Sequence, residues 1–219
     1  MLKLYFGPGA CSFVPLAALE IIKAATGDEF ELQLVKIHKG EQFAPEFKAL
    51  NPDSLVPVLL VDGRPLTQII AIAEYLDARY PQLELFPREP WARVRALSTM
   101  AWMNNTVHPA FTHVFMPQKF AAGDAAKAEL KSHNLPLFQG YLERIDAEVA
   151  KASPYWNGAK IGFLDLYAVV FLRWAGLAGI DPDSFPAYKA YVDRIAALPP
   201  VVAALADERQ PLHYFKKAA

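Results

Sequence analysis

Residues 56–66 read Val56-Pro57-Val58-Leu59-Leu60-Val61-Asp62-Gly63-Arg64-Pro65-Leu66. The apolar run before Asp62 is typical of a buried strand. Asp-Gly is a preferred two-residue hairpin turn, because both central residues of that turn need a positive φ. The segment therefore predicts two antiparallel strands.

Strand and helix patterns alternate around this hairpin within the first 80 residues. We expect strands at 3–6 and 30–37, a helix over about 14–26 that ends at Gly27, a short helix over 45–50 and a helix over 68–80. This order predicts a four-stranded mixed sheet with helices packed on it.

The remainder of the chain shows helical periodicity throughout. Pro81, Pro87 and Pro90 mark a boundary. Helices are expected at about 91–116, 125–152, 163–178, 185–197 and 199–207. We predict an α/β N-terminal domain over 1–80, a linker over 81–90 and an all-α C-terminal domain over 91–219.

Composition excludes several kinds of function. The 219 residues carry 22 basic and 23 acidic side chains, a net charge of −1, so nucleic acid is not an expected partner. The sequence shows no secretory leader and no apolar run long enough for a membrane span, so we expect a cytoplasmic protein without a membrane partner. A lone cysteine excludes a cysteine zinc cluster, and the spacing of His108 and His113 does not suit a metal pair, so no metal is expected.

The single cysteine, Cys11, lies in Gly7-Pro8-Gly9-Ala10-Cys11-Ser12, just before an apolar helical stretch. A helix N-terminus favours a thiolate, and cysteines placed there have pKa values of about 3.5–7.5. The position therefore predicts a reactive sulfur or a partner for another molecule's thiolate. A buried cysteine that packs as a small hydrophobe is the alternative.

Five motifs in register make the chain resemble the glutathione transferases, the bacterial beta class in particular. They are Leu4–Ser12, Asn51–Leu59, Leu66–Ile72, Val107-His108 and Ile161–Asp165. The loop after the second strand is closer to theta-like relatives. The resemblance implies a thioredoxin-like N-terminal domain, an all-helical C-terminal domain and a homodimer.

The resemblance also implies a glutathione site. Cys11 would lie beside the glutathione sulfur, with Ser12 either donating a hydroxyl hydrogen bond or capping the helix. Val56-Pro57 resembles the family's cis-proline step, where the backbone of Val56 pairs with the cysteinyl part of glutathione; cis bonds occur mainly before proline. A purely structural turn is compatible with the same step.

Three further positions are implied for the ends of the tripeptide. Gln68 would hold the γ-glutamyl group, and Lys39 would meet the glycyl carboxylate, although a solvated loop also fits Lys39. Ile69 stands where the family has Ser, Thr or Gly, so a hydroxyl is missing there. Helix-terminal N–H groups remain for the carboxylate.

His108 resembles the beta-class histidine that projects toward the sulfur. A neutral imidazole could donate a hydrogen bond to a thiolate or take a proton from a thiol, and a buried core histidine is the alternative. Pro109, which follows it, should disturb the helix. Asp165 resembles the family's helix-capping aspartate, with Gly162 in place of the usual Ser or Thr cap.

These residues predict a transferase that adds the glutathione thiolate to a small apolar electrophile. Six aromatic side chains either line an electrophile pocket between the domains or simply belong to the core, as most aromatic residues on helices do: Trp102, Phe111, Phe115, Phe120, Tyr214 and Phe215. A monothiol exchange route, with Cys11 in a mixed disulfide, fits the same site. Ile69 and Pro109 also fit a different class, a non-catalytic binding or regulatory protein with weak glutathione affinity.

Overall fold

The computed structural model describes residues 1–215; residues 216–219, the end of the predicted C-terminal domain, lie outside the described part. The N-terminal sheet consists of β1 (Leu2–Phe6), β2 (Phe30–Leu34), β3 (Val58–Val61) and β4 (Arg64–Thr67). Its order is β2-β1-β3-β4, with β1 parallel to β2 and antiparallel to β3. The predicted mixed sheet is confirmed.

The predicted hairpin is also confirmed. β3 pairs antiparallel with β4, and Asp62 and Gly63 have φ values of +50° and +81°. Both central residues thus take the positive φ that a tight hairpin turn requires. β2 ends earlier than predicted, because Ile37–Lys39 form a 3₁₀ turn instead of extending the strand.

The first three helices lie between and after the strands along the chain. They are α1 (Phe13–Thr26), α2 (Pro45–Leu50) and α3 (Ile69–Arg79). Helix α1 is apolar on nearly all sides and packs against α7 (Phe163–Leu177) and α9 (Pro199–Glu208) as well as against β1. This packing brings the loop between β1 and α1 to the junction with the C-terminal helices.

Helices make up the rest of the described chain. Besides α7 and α9 they are α4 (Pro90–Trp102), α5 (His108–Phe115), α6 (Asp124–Val149) and α8 (Pro186–Ala196). The α/β part followed by an all-helical part confirms the predicted fold class. One contiguous core joins them, from Leu4 in β1 to Tyr167 in α7. The domain boundaries proposed for 1–80, 81–90 and 91–219 stay a prediction.

The single helix predicted over 91–116 is divided by a π-helical turn, Met103–Val107. The N–H of His108 donates to the carbonyl of Met103, five residues earlier. Pro109 has no N–H to continue the α-helical pattern, so a change of register is expected next to it. The turn makes His108 the first residue of α5, rather than an interior residue of the fourth helix.

None of the helices within residues 1–215 combines the length and the apolar character needed to cross a bilayer.

Candidate functional site

The loop between β1 and α1 is organised by Ser12. Its Oγ accepts from the Gly7 N–H at 3.0 Å and donates to the Gly7 carbonyl at 3.1 Å, and the side chain is fully buried. It makes no capping hydrogen bond to α1. The capping role is therefore wrong. The predicted catalytic role of Ser12, as a hydroxyl donor in the glutathione site, stays a prediction. The hydroxyl already donates to and accepts from the Gly7 backbone, which does not favour that role.

Cys11 lies against the cis-proline step. The Val56-Pro57 peptide bond is cis, as predicted. The partly exposed Cys11 thiol donates to the Val56 carbonyl, with Sγ and O 3.8 Å apart. The Val56 N–H makes no hydrogen bond within residues 1–215. Val56 therefore presents backbone groups beside the only thiol of the chain.

Burial raises the pKa of Cys11 to about 12, and the negative charge of Glu208 acts in the same direction. A backbone hydrogen bond and the positive charge of Lys119 oppose this rise. The prediction of a lowered pKa is wrong because α1 begins only at Phe13 and desolvation disfavours the thiolate more than the helix end favours it.

Gln68 and Ile69 lie at the start of α3 and point in opposite directions. Gln68 is exposed and has φ +68° and ψ 120°, a conformation that non-glycine residues adopt at a cost of about 1–3 kcal/mol and mostly at functional sites. The Ile69 side chain is only 4% exposed and belongs to the core. The substrate-binding role of Ile69 stays a prediction, and with its side chain in the core only its backbone N–H is left for a carboxylate.

Lys39 is exposed in the 3₁₀ turn Ile37–Lys39 and forms no ion pair with any residue from 1 to 215. The neighbouring Lys36 pairs with Glu41. Ile37 in the same turn lies so close to Gly7 that a Cβ at Gly7 would be 2.4 Å from Ile37 Cδ1. The turn that carries Lys39 thus borders the Cys11 loop.

His108 lies among polar and aromatic side chains at the start of α5. Its Nδ1 is 3.0 Å from the Tyr167 hydroxyl, and its ring centroid is 4.7 Å from that of Trp174. Burial, with a smaller effect of the Lys119 charge, lowers the pKa of His108 to about 4. The imidazole is therefore neutral at physiological pH.

Two C-terminal helices hold the Cys11 loop at Gly9. Trp174 Nε1 donates to the Gly9 carbonyl at 2.8 Å, and the Gly9 N–H donates to Glu208 Oε1 at 3.2 Å. Glu208 is fixed in turn by a buried ion pair with Arg173, 2.6 Å between Nη1 and Oε2. Since Trp174 also packs on His108, one indole joins the loop of Cys11 to the imidazole.

Gly9 meets two requirements at once. Its φ is +73°, and a Cβ there would lie 2.7 Å from the Tyr214 hydroxyl oxygen. Tyr214 also accepts a hydrogen bond from Arg173 at 3.2 Å. The chain after α9 therefore covers the loop.

Comparisons with known proteins show the family of this chain. Models of the glutathione S-transferase N-terminal and C-terminal domains match residues 1–78 and 103–199. Glutathione S-transferase GST-4.5 of Xanthomonas campestris pv. campestris is 32% identical over 209 residues, covering 94% of this chain and 98% of that protein. The chain belongs to the glutathione S-transferases.

Two solved structures of bacterial relatives are similar to this transferase over nearly the whole chain. A bacterial beta class glutathione S-transferase from Sphingomonas chungbukensis has a TM-score of 0.80 at 32% identity, covering 94% of this chain and 98% of that one. A glutathione transferase homologue from Sulfitobacter with bound glutathione has a TM-score of 0.84 at 25% identity, with the same coverage of 94% and 98%. The resemblance stated from the motifs is confirmed at the level of family and enzyme type.

The aromatic residues predicted to line one pocket of the transferase are brought together only in part: Phe111 and Phe115 stack with ring centroids 5.2 Å apart, whereas Trp102 lies elsewhere. Phe111 is a core residue stacked on Trp174, with ring centroids 4.3 Å apart. Trp102 faces Tyr141 and Arg144 and lines a separate cleft between α4 and α6. Within residues 1–215, no group of three or more His, Cys, Asp or Glu side chains is arranged to hold a metal ion.

Sequence reasoning missed the residues that support the transferase site from the C-terminal half. These are Asn104, Lys119, Tyr167, Arg173, Trp174 and Glu208. Arg173 offered a signal, because a charged residue within the apolar stretch 163–177 needs a buried partner. Nothing in the pattern pointed to Glu208 as that partner.

Proposed function

We propose that this transferase binds glutathione beside Cys11 and adds its thiolate to a small apolar electrophile. The observation that carries the proposal is the contact between Cys11 Sγ and the Val56 carbonyl at 3.8 Å. It supports a thiol-binding position at the point where an extended peptide can pair with the backbone of Val56.

The ends of the tripeptide would be held by residues around this point. Gln68 is exposed at the start of α3, where the first N–H groups of the helix also favour a carboxylate; it would bind the γ-glutamyl end. Lys39 would meet the glycyl carboxylate from the bordering turn. Ser12 and Pro57 would contribute by fixing the loop and the backbone of Val56.

The protonation of Cys11 favours conjugation over disulfide exchange. With a pKa of about 12, Cys11 remains a thiol at neutral pH, so its one S–H can turn from the Val56 carbonyl, to which it donates in this structure, and donate instead to the glutathione thiolate. Exchange through a mixed disulfide would need the Cys11 thiolate as the attacking group. Burial opposes that form.

Retention on glutathione-agarose tests binding. We expect the wild-type protein to bind and to turn over a chlorodinitrobenzene-type substrate. Failure to bind glutathione even at millimolar concentration would refute the proposal. Reduction of a glutathionylated disulfide, measured on the same preparation, should be much slower than conjugation.

Cys11→Ser and Cys11→Ala separate the two routes. Cys11→Ser keeps a hydrogen-bond donor, so conjugation should fall less than in Cys11→Ala. Exchange should be lost in both variants. Equal conjugation rates in all three proteins would show that the Cys11 thiol does not assist the reaction.

The alternative of a non-catalytic binding protein rested on Ile69 and Pro109. The Ile69 side chain is directed into the core, and the π-helical turn accommodates Pro109. Neither residue therefore blocks the site with its side chain, although the hydroxyl missing at Ile69 still fits weak glutathione affinity. Weak retention with no turnover of any electrophile would favour the alternative.

We further propose a cytoplasmic homodimer, as the family resemblance implies. Sedimentation velocity on the purified full chain should give a dimer mass. A monomer across micromolar concentrations would contradict this proposal without affecting the glutathione site.

A further inference from the structure

The hydrogen bonds of Tyr167 define which nitrogen of His108 carries the proton. The Tyr167 hydroxyl is fully buried and has two neighbours, His108 Nδ1 at 3.0 Å and Asn104 Oδ1 at 3.3 Å. A hydroxyl donates one hydrogen bond and accepts others. The Asn104 oxygen can only accept, so Tyr167 donates to Asn104 and accepts from His108.

The orientation of the Asn104 amide supports this direction. Its Nδ2 donates to Asn105 Oδ1 at 2.9 Å, which leaves Oδ1 facing Tyr167. In the opposite arrangement Tyr167 would donate to His108 Nδ1. The Tyr167 hydroxyl oxygen and Asn104 Oδ1 would then face each other with no hydrogen between them. Only the first arrangement satisfies all three groups.

We propose that Asn104 and Tyr167 are positioning residues that hold His108 as the Nδ1–H tautomer and leave Nε2 as a proton acceptor. Asn104 lies in the π-helical turn Met103–Val107 and His108 directly follows that turn, and both side chains contact the Tyr167 hydroxyl on α7. Turns of this kind occur frequently at functional sites. His108 Nε2 makes no hydrogen bond with any residue from 1 to 215.

The tautomer decides which of two roles His108 can take, and this step rests on the proposed function. A neutral Nε2 cannot donate to a thiolate, whereas it can accept the proton of a bound thiol. The S–H bond breaks with both electrons left on sulfur, and the proton forms Nε2–H. The thiolate then attacks the electrophile; the C–S bond forms, the leaving group departs with its electron pair, and Nε2–H gives its proton to that group or to water.

Other charged and titratable groups surround the imidazole. Lys119, in the turn after α5, acts on both His108 and Cys11, and the Cys11 charge acts on Tyr167. The Trp174 ring from α7 covers the imidazole. Thiol, imidazole and phenol therefore share one neighbourhood between the two halves of the chain.

The test is ¹⁵N NMR of histidine-labelled full-length protein, with His108 assigned from the resonances absent in His108→Gln. We expect a pyrrole-type Nδ1 and a pyridine-type Nε2 at pH 7. The reverse assignment in the wild-type protein overturns the proposal. This measurement needs no glutathione, so its outcome is separate from failure of glutathione binding or turnover.

Variants test the roles of the two positioning residues. Tyr167→Phe removes the oxygen that accepts from His108 Nδ1–H. Because the loss of one neutral hydrogen bond is worth up to about tenfold, the tautomer ratio and kcat should each change by up to that factor. The KM for glutathione should change little. Asn104→Leu frees the Tyr167 hydroxyl to donate to Nδ1, so it should shift the tautomer further than Tyr167→Phe. Asn104→Asp keeps the acceptor and should retain the wild-type tautomer.

Tyr188→Phe is the matched control, because Tyr188 is equally buried and its hydroxyl bonds to the Ala168 carbonyl rather than to His108. Its tautomer and kcat should equal those of the wild-type protein. If Asn104→Leu does not fold, the wild-type and Tyr167→Phe spectra decide alone. An unchanged tautomer in a folded Tyr167→Phe protein would contradict the positioning role.

Discussion

Cys11 and His108 both have pKa values shifted toward their neutral forms. Burial raises the pKa of the thiol and lowers that of the imidazole. Trp174 packs on the His108 ring and donates to the Gly9 carbonyl in the Cys11 loop, and desolvation around both groups disfavours their charged forms. A thiolate formed there therefore needs a nearby proton acceptor and hydrogen-bond donors.

Alkylation of Cys11 should be slow and strongly dependent on pH. With a pKa of about 12, the iodoacetamide rate should rise about tenfold per pH unit from pH 7 to pH 10 without a plateau. Mass spectrometry of the single cysteine gives the rate. A plateau near pH 8 would show that the thiolate is stabilised after all.

Protonation of His108 should destabilise the fold in mild acid. Between pH 6.5 and about 4 the unfolded chain binds a proton at this residue and the folded chain does not. Stability is therefore lost as pH falls through this window, by on the order of 3 kcal/mol. Urea unfolding at pH 7 and pH 4.5 measures it; His108→Gln should lose less stability over the same interval than the wild-type protein does.

The start of α7 shows how an element is fixed by one carboxylate. Asp165 accepts from the Gly162 N–H at 2.6 Å, from the Trp156 N–H at 2.8 Å and from the Tyr191 hydroxyl. The predicted capping role is confirmed. Gly162 occupies the cap position because a Cβ there would lie 2.4 Å from the Leu85 carbonyl oxygen, which explains the missing Ser or Thr.

Asp165→Ala should therefore cost more than loss of an ordinary cap. Two buried donors, the Gly162 N–H and the Tyr191 hydroxyl, and the half-buried Trp156 N–H lose their acceptor, so we expect the free energy of unfolding to fall by about 3 kcal/mol or more. Chemical denaturation measures the change. Asp181→Ala is the matched control, because among the described residues the Asp181 side chain accepts only from the Asp183 N–H, and its loss should cost about 1 kcal/mol. Equal losses would contradict the network.

At the scale of the whole molecule, the C-terminal helices complete the N-terminal site. Both backbone groups of Gly9 are bound by side chains from α7 and α9. Arg173 and Glu208 form a buried ion pair. Removal of either partner alone would leave an unpaired buried charge and strongly destabilise the folded protein. The position of Cys11 thus depends on how the two halves of the chain pack.

Trp174→Phe should loosen the Cys11 loop without emptying the core. A smaller phenyl ring replaces the indole, so the hydrogen bond to the Gly9 carbonyl is lost, at about 1 kcal/mol of stability, and the void left by the indole adds to that loss. We expect faster hydrogen exchange at the amides of 9–11 and a higher KM for glutathione. Trp102→Phe, in the separate cleft, should change neither; an equal effect of both variants would refute the coupling.

Local patterns in the sequence determined the elements and the kind of site. The hairpin at Asp62-Gly63, the mixed sheet, most helix limits and the cap at Asp165 depend on residues close in the chain. The cis-proline step and the family also followed from short motifs. These features were predictable because backbone preference and hydrophobic periodicity act over a few residues.

Only the tertiary structure decided the protonation states and side-chain orientations in the predicted site. The direction of the Cys11 pKa shift, the inward turn of Ile69 and the proton position on His108 depend on side chains brought together by packing. The groups that hold Gly9 come from 165 and 199 residues away. Burial and hydrogen bonding between such distant residues leave no periodic trace in the sequence, so only the folded chain shows them.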